Sequence, residues 1–105
     1  MIAPVHARPR YSVGQIIRHR RYGYRGVIVD FDLQCRAPKE WYEHNRTQPP
    51  RSQPWYHVLV DGTVQTTYVA ERNILRDQEK SPVKQPLVNF YFAGFRNGRY
   101  LPCFH

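Results

Sequence analysis

Four arginines crowd one short stretch of the chain: Arg18, Arg20, Arg21 and Arg25, with Tyr22 and Tyr24 among them and Gly23 at the centre. A guanidinium is planar and grips phosphate or carboxylate at two points, so arginines gathered at a turn suit a polyanion. Tyrosines between them can contact a sugar or a base. No acidic residue precedes Asp30, and Arg8 and Arg10 extend the basic run toward the start. Over 105 residues, sixteen Lys and Arg stand against eight Asp and Glu, a net charge of +8, and thirteen of the sixteen are arginine. A field of that sign steers polyanions and releases counterions when phosphates are neutralised, although the same charge also serves simply as a soluble surface. The candidate nucleic-acid-binding residues are Arg18, Arg20, Arg21, Tyr24 and Arg25. Side chains on a hairpin alternate faces, so about three of the arginines can meet one ligand.

Other chemistry is sparse. His6, His19, His44, His57 and His105 show no metal-ligand spacing, and Cys35 and Cys103 form no CxxC pair. A barrel could gather His19 and His57, but a histidine serving structure is the commoner case, so no metal or cofactor is expected. There is no phosphate loop and no GxSxG elbow. Asp30 and Asp32 share a strand face, and paired carboxylates can do acid–base or metal work. On so basic a chain, pairing with arginines is the expectation, and the chain reads as non-enzymatic. No run approaches the roughly 18 apolar residues of a membrane span. The start, MIAPVHARPR, lacks the apolar stretch of a secretory signal. The expectation is a soluble, cytoplasmic protein without a membrane partner. Two thiols are ordinary in a reducing compartment, and the pattern leaves a disulfide open.

These residues need a scaffold. With 41% hydrophobic and 14% aromatic residues, one small domain has material for a thin core in which aromatics carry much of the packing. Met1 to Arg10 reads as a mobile basic arm. Gln15–His19 reads as a strand, Tyr22–Gly26 as a glycine-marked turn, and Val27–Asp32 as a second strand with Val27, Val29 and Phe31 on one face. Leu33–Pro54 is proline-rich and reads as a long loop, with a turn of helix over Lys39–His44; such loops are often functional. Trp55–Val60 is the clearest strand. One of Trp55 and Tyr56 should anchor the core and the other present a ring outside, and His57 shares the face of Trp55. Asp61-Gly62 signals a two-residue turn and Thr63–Val69 the returning strand. A tight turn at Ala70–Asn73 leads to a short strand at Ile74-Leu75. Leu87, Phe90, Tyr91, Gly94 and Phe95 fall at helical spacing, predicting a short amphipathic helix that closes one end. Asn97-Gly98 reads as a turn, with an edge segment at Tyr100–Pro102. The fold class is mostly β, a small antiparallel barrel of about five strands with a long loop and a short C-terminal helix. Periodicity does not choose between SH3-like and OB-like forms. The organisation read is an arm at 1–10, a barrel domain at 11–77 and a tail at 78–105 that packs on the barrel.

Three blocks are more specific. Gly14-Gln15-Ile16-Ile17-Arg18-His19 is followed by Gly23-Tyr24-Arg25-Gly26-Val27-Ile28-Val29-Asp30-Phe31-Asp32. Pro54–Val60 reads PWYHVLV, and Tyr68–Ile74 reads YVAERNI. Together they resemble the HspQ/YccV-like family, also called hemimethylated DNA-binding domains, over about residues 11 to 77. The segment Phe90–Pro102 resembles the tail that follows this domain in eukaryotic F-box proteins carrying it. The resemblance implies an SH3-like barrel and a DNA-binding module, with duplex DNA, including hemimethylated DNA, as partner. It also implies an alternative: an adaptor or modulator of ATP-dependent proteolysis in the heat-shock and quality-control response, with the protease or its substrates as partner. Leu33 departs from the proline that often follows the acidic pair. The basic charge departs from acidic bacterial members and favours nucleic acid.

Overall fold

The computed structural model describes residues 8–103. Of the arm expected over 1–10, residues 1–7 lie outside the described residues, while Arg10 donates its N–H to Glu71.

Alternation of apolar residues builds the main sheet. β1 (Ile16–His19), β2 (Arg25–Asp32), β3 (Trp55–Val60) and β4 (Thr66–Ala70) form an antiparallel meander, and β5 (Ile74–Arg76) returns to pair with β1. The strand order is β4-β3-β2-β1-β5, the path of an SH3-like meander. The tight turn between β4 and β5 is one 3-10 turn at Glu71–Asn73. The ladder does not close: β4 and β5 remain the two edges, so the expected closed barrel is instead an open sheet.

β2 starts at Arg25 rather than Val27, because its first residues pair with both neighbours: Gly26 lies opposite Ile17 and Val60. A Cβ on Gly26 would lie 2.4 Å from Val58 Cγ1 and 2.6 Å from the Leu59 carbonyl oxygen, so only glycine lets the strands approach here. A bulge between Ile28 and Asp30 then shifts the register. The extra residue breaks the alternation read from sequence. Val27 and Val29 pack in one apolar cluster, whereas Phe31 joins Ile28 in the other.

Both Trp55 and Tyr56 are buried, which corrects the expectation that one ring points outward. Tyr56 faces the cluster of Ile17, Ile28, Val58, Val69 and Ile74. Trp55 faces the other way and is covered by the long loop through Cys35, Ala37 and Tyr42, with Tyr68. Within that loop α1 (Lys39–His44) forms where a turn of helix was read. His57 is half-exposed and pairs with Asp32 at 3.2 Å. The Tyr68 hydroxyl donates to the same carboxylate at 2.7 Å, and Arg36 lies 3.9 Å from it.

The β3–β4 connection is longer than two residues. Asp61 and Gly62 do form a turn, closed by Thr63 N–H on the Val60 carbonyl, but ladder pairing resumes only at Leu59 with Thr66. In the tail, helical spacing yields one turn, α2 (Val88–Tyr91), and not a helix to Phe95. Phe92–Arg96 is β6 and Arg99–Pro102 is β7. Asn97 and Gly98 between them have φ of 53° and 77°, the left-handed pair that a two-residue hairpin turn requires. The buried apolar residues of the tail are Val83, Val88, Phe92 and Tyr100, clustered with Ile16, Val27 and Leu59. Leu87, Phe90 and Tyr91, expected to pack, are exposed.

Candidate nucleic-acid interface

The five sequence-predicted residues separate into two groups. Arg18 and Arg25 are register partners on β1 and β2, so their side chains leave the same face of the hairpin. Both reach Asp77. Arg25 Nε donates to Asp77 Oδ2 at 2.5 Å and lies 3.2 Å from Glu79 Oε2. Its Nη1 donates to Asp61 Oδ2 at 3.2 Å and its Nη2 to the Ser81 carbonyl at 2.7 Å. Arg18 donates to Asp77 Oδ1 at 3.2 Å and to the Gly23 carbonyl at 2.7 Å. The Asp77 side chain is only 3% exposed. Burial alone would raise its pKa, but hydrogen bonds and charge from Arg25, then Arg18, outweigh burial and lower it. Arg25 is thus a buried clamp that ties the start of the tail to the sheet.

Arg20 and Arg21 are exposed on the turn joining β1 to β2. That turn is held from inside. Gly23, at φ 76°, donates its N–H to the His19 carbonyl. His19 Nδ1 accepts the backbone N–H groups of Arg21 and Tyr22 at 3.0 and 3.1 Å. Burial, and then the charge of Arg21, lower the His19 pKa, which keeps that nitrogen an acceptor. Tyr22 stacks on the His19 ring at 4.6 Å and leaves 47% of its surface exposed. The Tyr24 hydroxyl shares a 2.8 Å hydrogen bond with Thr67 Oγ1, and its ring is half-buried.

Two clefts flank this turn. On one side, Arg10, Arg20 and Arg72 surround a polar cleft of about 220 Å³ with Gln53 and Glu71. Glu71 is engaged there: it accepts from the Tyr56 hydroxyl at 2.7 Å and the Arg10 N–H at 2.9 Å. Arg20 Nε donates to the Arg72 carbonyl at 2.9 Å, and both residues line the cleft. On the other side, a cleft of about 320 Å³ lies between the turn, β4 and the loop after α1; Tyr22, Tyr24, Trp41 and Tyr68 give its rings, and Asn45, Arg46 and Thr67 its polar groups. Sequence reading missed Trp41, Arg46, Tyr68 and Arg72 as site residues. The proline-rich loop signalled that 33–54 could be functional, but not which side chains it brings to the turn.

Among the described residues, no three His, Cys, Asp or Glu side chains gather as a metal site needs, and Cys35 and Cys103 are both free thiols. No helix of the described residues is long and apolar enough to cross a membrane.

Comparison with known proteins agrees with the sequence blocks. F-box only protein 21 of Homo sapiens is 38% identical over 96 residues, 88% of this chain and 15% of the relative. Its counterpart in Mus musculus is 36% identical over the same share. This chain therefore spans a small part of the length of the curated relatives it matches. Residues 9–99 match the family described as "Hemimethylated DNA-binding protein YccV like", and the chain belongs to that YccV-like family of DNA-binding modules.

Proposed function

We propose that this chain binds duplex DNA through the β1–β2 turn, with Arg20, Arg21 and Arg72 on phosphates and Tyr22 against sugar or base. The observation that carries the reading is the division of charge. Three of the acidic residues, Asp61, Asp77 and Glu79, converge on Arg25, while Arg20, Arg21 and Arg72 have no carboxylate within ion-pair distance among the described residues. Arg18 and Arg25 hold the scaffold; Tyr24 lines the aromatic cleft. Preference for hemimethylated DNA comes with the family description and is part of the proposal. The decisive experiment is a salt titration of binding to unmethylated, hemimethylated and fully methylated duplexes of one sequence. Affinity should fall with a log–log slope of about −0.9 per phosphate neutralised, and Arg20→Ala or Arg21→Ala should each flatten it by about one unit. Equal affinities would remove the methylation preference alone. No binding at about 50 mM salt would remove the DNA reading.

A second reading has its own observation. β4 is an open edge, and Phe90 is 77% exposed beside Leu87 and Tyr91. Strand addition at an edge and exposed aromatics are how small domains take peptides. The chain would then serve as an adaptor for an ATP-dependent protease or its substrates in the cytoplasm. A nuclease-treated pull-down that retains a protease would favour it.

A further inference from the structure

The aromatic cleft beside the turn offers ring surface that phosphate contact does not use. Its walls are rings held in place from behind: Tyr22 is backed by His19, and Trp41 meets Tyr68 edge-on at 5.7 Å and Trp55 at 6.2 Å. Trp41 is 37% exposed and Tyr22 47%, so both offer ring surface to a ligand. At about 320 Å³ the cleft lies at the small end of ligand sites, roughly 300–1,000 Å³. A single flat ring fits such a space.

Charge decides what kind of ring. An aromatic cage of this type also suits a methylated ammonium group, but such cations need negative or neutral surroundings. No carboxylate lines this cleft; Arg46 does, and exposed Arg21 adjoins Tyr22. The occupant should combine a flat ring with negative charge at the rim. Asn45 adds an amide with both donor and acceptor, the equipment for a base edge.

We infer that the cleft binds one nucleobase taken out of its stack, held by Tyr22 and Trp41, with the adjoining phosphate on Arg21 or Arg46. The inference rests on the DNA-binding reading and adds that an unpaired base is the preferred target. Base stacking on an aromatic side chain is sequence-tolerant and is lost on alanine substitution. An unpaired base enters without the cost of breaking a pair.

The test compares three labelled duplexes of one sequence: fully paired, with one bulged nucleotide, and with the same bulge lacking its base. The bulged-base duplex should bind about five- to 150-fold more tightly than the other two. It alone should quench the emission of Trp41, since Trp55 is buried. Trp41→Ala should abolish the preference while leaving affinity for the paired duplex and its salt slope nearly unchanged. Trp41→Phe, which keeps a ring in the loop, should retain much of the preference. Equal binding of all three duplexes without quenching would overturn the base site and leave the DNA reading standing. No binding to any duplex would overturn both. Quenching by a trimethyllysine peptide, and by no bulged DNA, would show that the cleft takes a cation instead.

Discussion

Arg25 and Arg21 are four residues apart and carry the same charge, yet the fold places them in opposite environments. Arg25 is 9% exposed and faces three carboxylates and a carbonyl. Removing it leaves Asp77 buried with only Arg18, so Arg25→Met should cost on the order of 3 kcal/mol in urea unfolding. Arg21→Ala should stay within about 0.5 kcal/mol of the parent and act on DNA binding alone. His19 gives the turn a pH dependence. Its Nδ1 must stay unprotonated to accept two N–H groups, and its pKa is lowered from 6.5 by burial and then by Arg21. A lowered folded pKa means that this stabilisation is complete above the unfolded value and is lost as pH falls toward the folded one. Melting temperatures measured above and below pH 6.5 should fall further on acidification for the parent than for His19→Asn, which keeps an acceptor without titrating.

At the level of elements, β3 is buried on both faces at every residue but His57. The sheet covers Tyr56 and the long loop covers Trp55, so an apparent connection acts as a second layer of core. Trp55→Ala removes the residue on which the loop packs. It should cost about 3–5 kcal/mol and loosen Trp41, which a rise in proteolytic cleavage across 33–54 would report. Trp55→Phe should cost much less. It keeps a ring, and the Trp55 Nε1 it deletes is buried without a hydrogen-bond partner among the described residues. The bulge at Val29 belongs to the same scale: one extra residue in β2 moves Phe31 to the face of Ile28. Strand alternation read from sequence carries no marker for that, because neither residue at the bulge is glycine.

At the level of the whole molecule, the tail supplies part of the interior. Tyr100 lies against Phe92 and Phe95, and its hydroxyl accepts the Val83 N–H at 2.9 Å and donates to the Val83 carbonyl at 3.2 Å. Tyr100 N–H bonds the Gly14 carbonyl, and a Cβ on Gly14 would overlap the Tyr100 carbonyl oxygen. The entry to β1 is therefore shaped to receive β7. Truncation after Asp77 would uncover Ile16, Val27 and Leu59 and strip Arg25 of Glu79 and Ser81. The shortened chain should melt at lower temperature and bind an apolar dye or self-associate. An unchanged, monomeric melt would show that the tail is dispensable to the fold.

The strands of the main sheet, the α1 turn, the glycine turn and the family were legible in the sequence, because each is written in local spacing: alternation, Gly and Pro punctuation, and contiguous blocks such as PWYHVLV; β6 was not, its apolar residues having fallen at helical spacing. The basic region was legible too, since charge sums without regard to geometry. Which arginines are held by carboxylates was not legible. Arg18 and Arg25 find Asp77 more than fifty residues away, and only cross-strand register and the return of the tail bring that carboxylate to them. The aromatic cleft is likewise made by Tyr22, Trp41 and Tyr68, from three distant segments. Long-range contacts of this kind leave no period in the chain, so the tertiary structure alone decided which arginines are tied into the fold and which stay exposed on the turn.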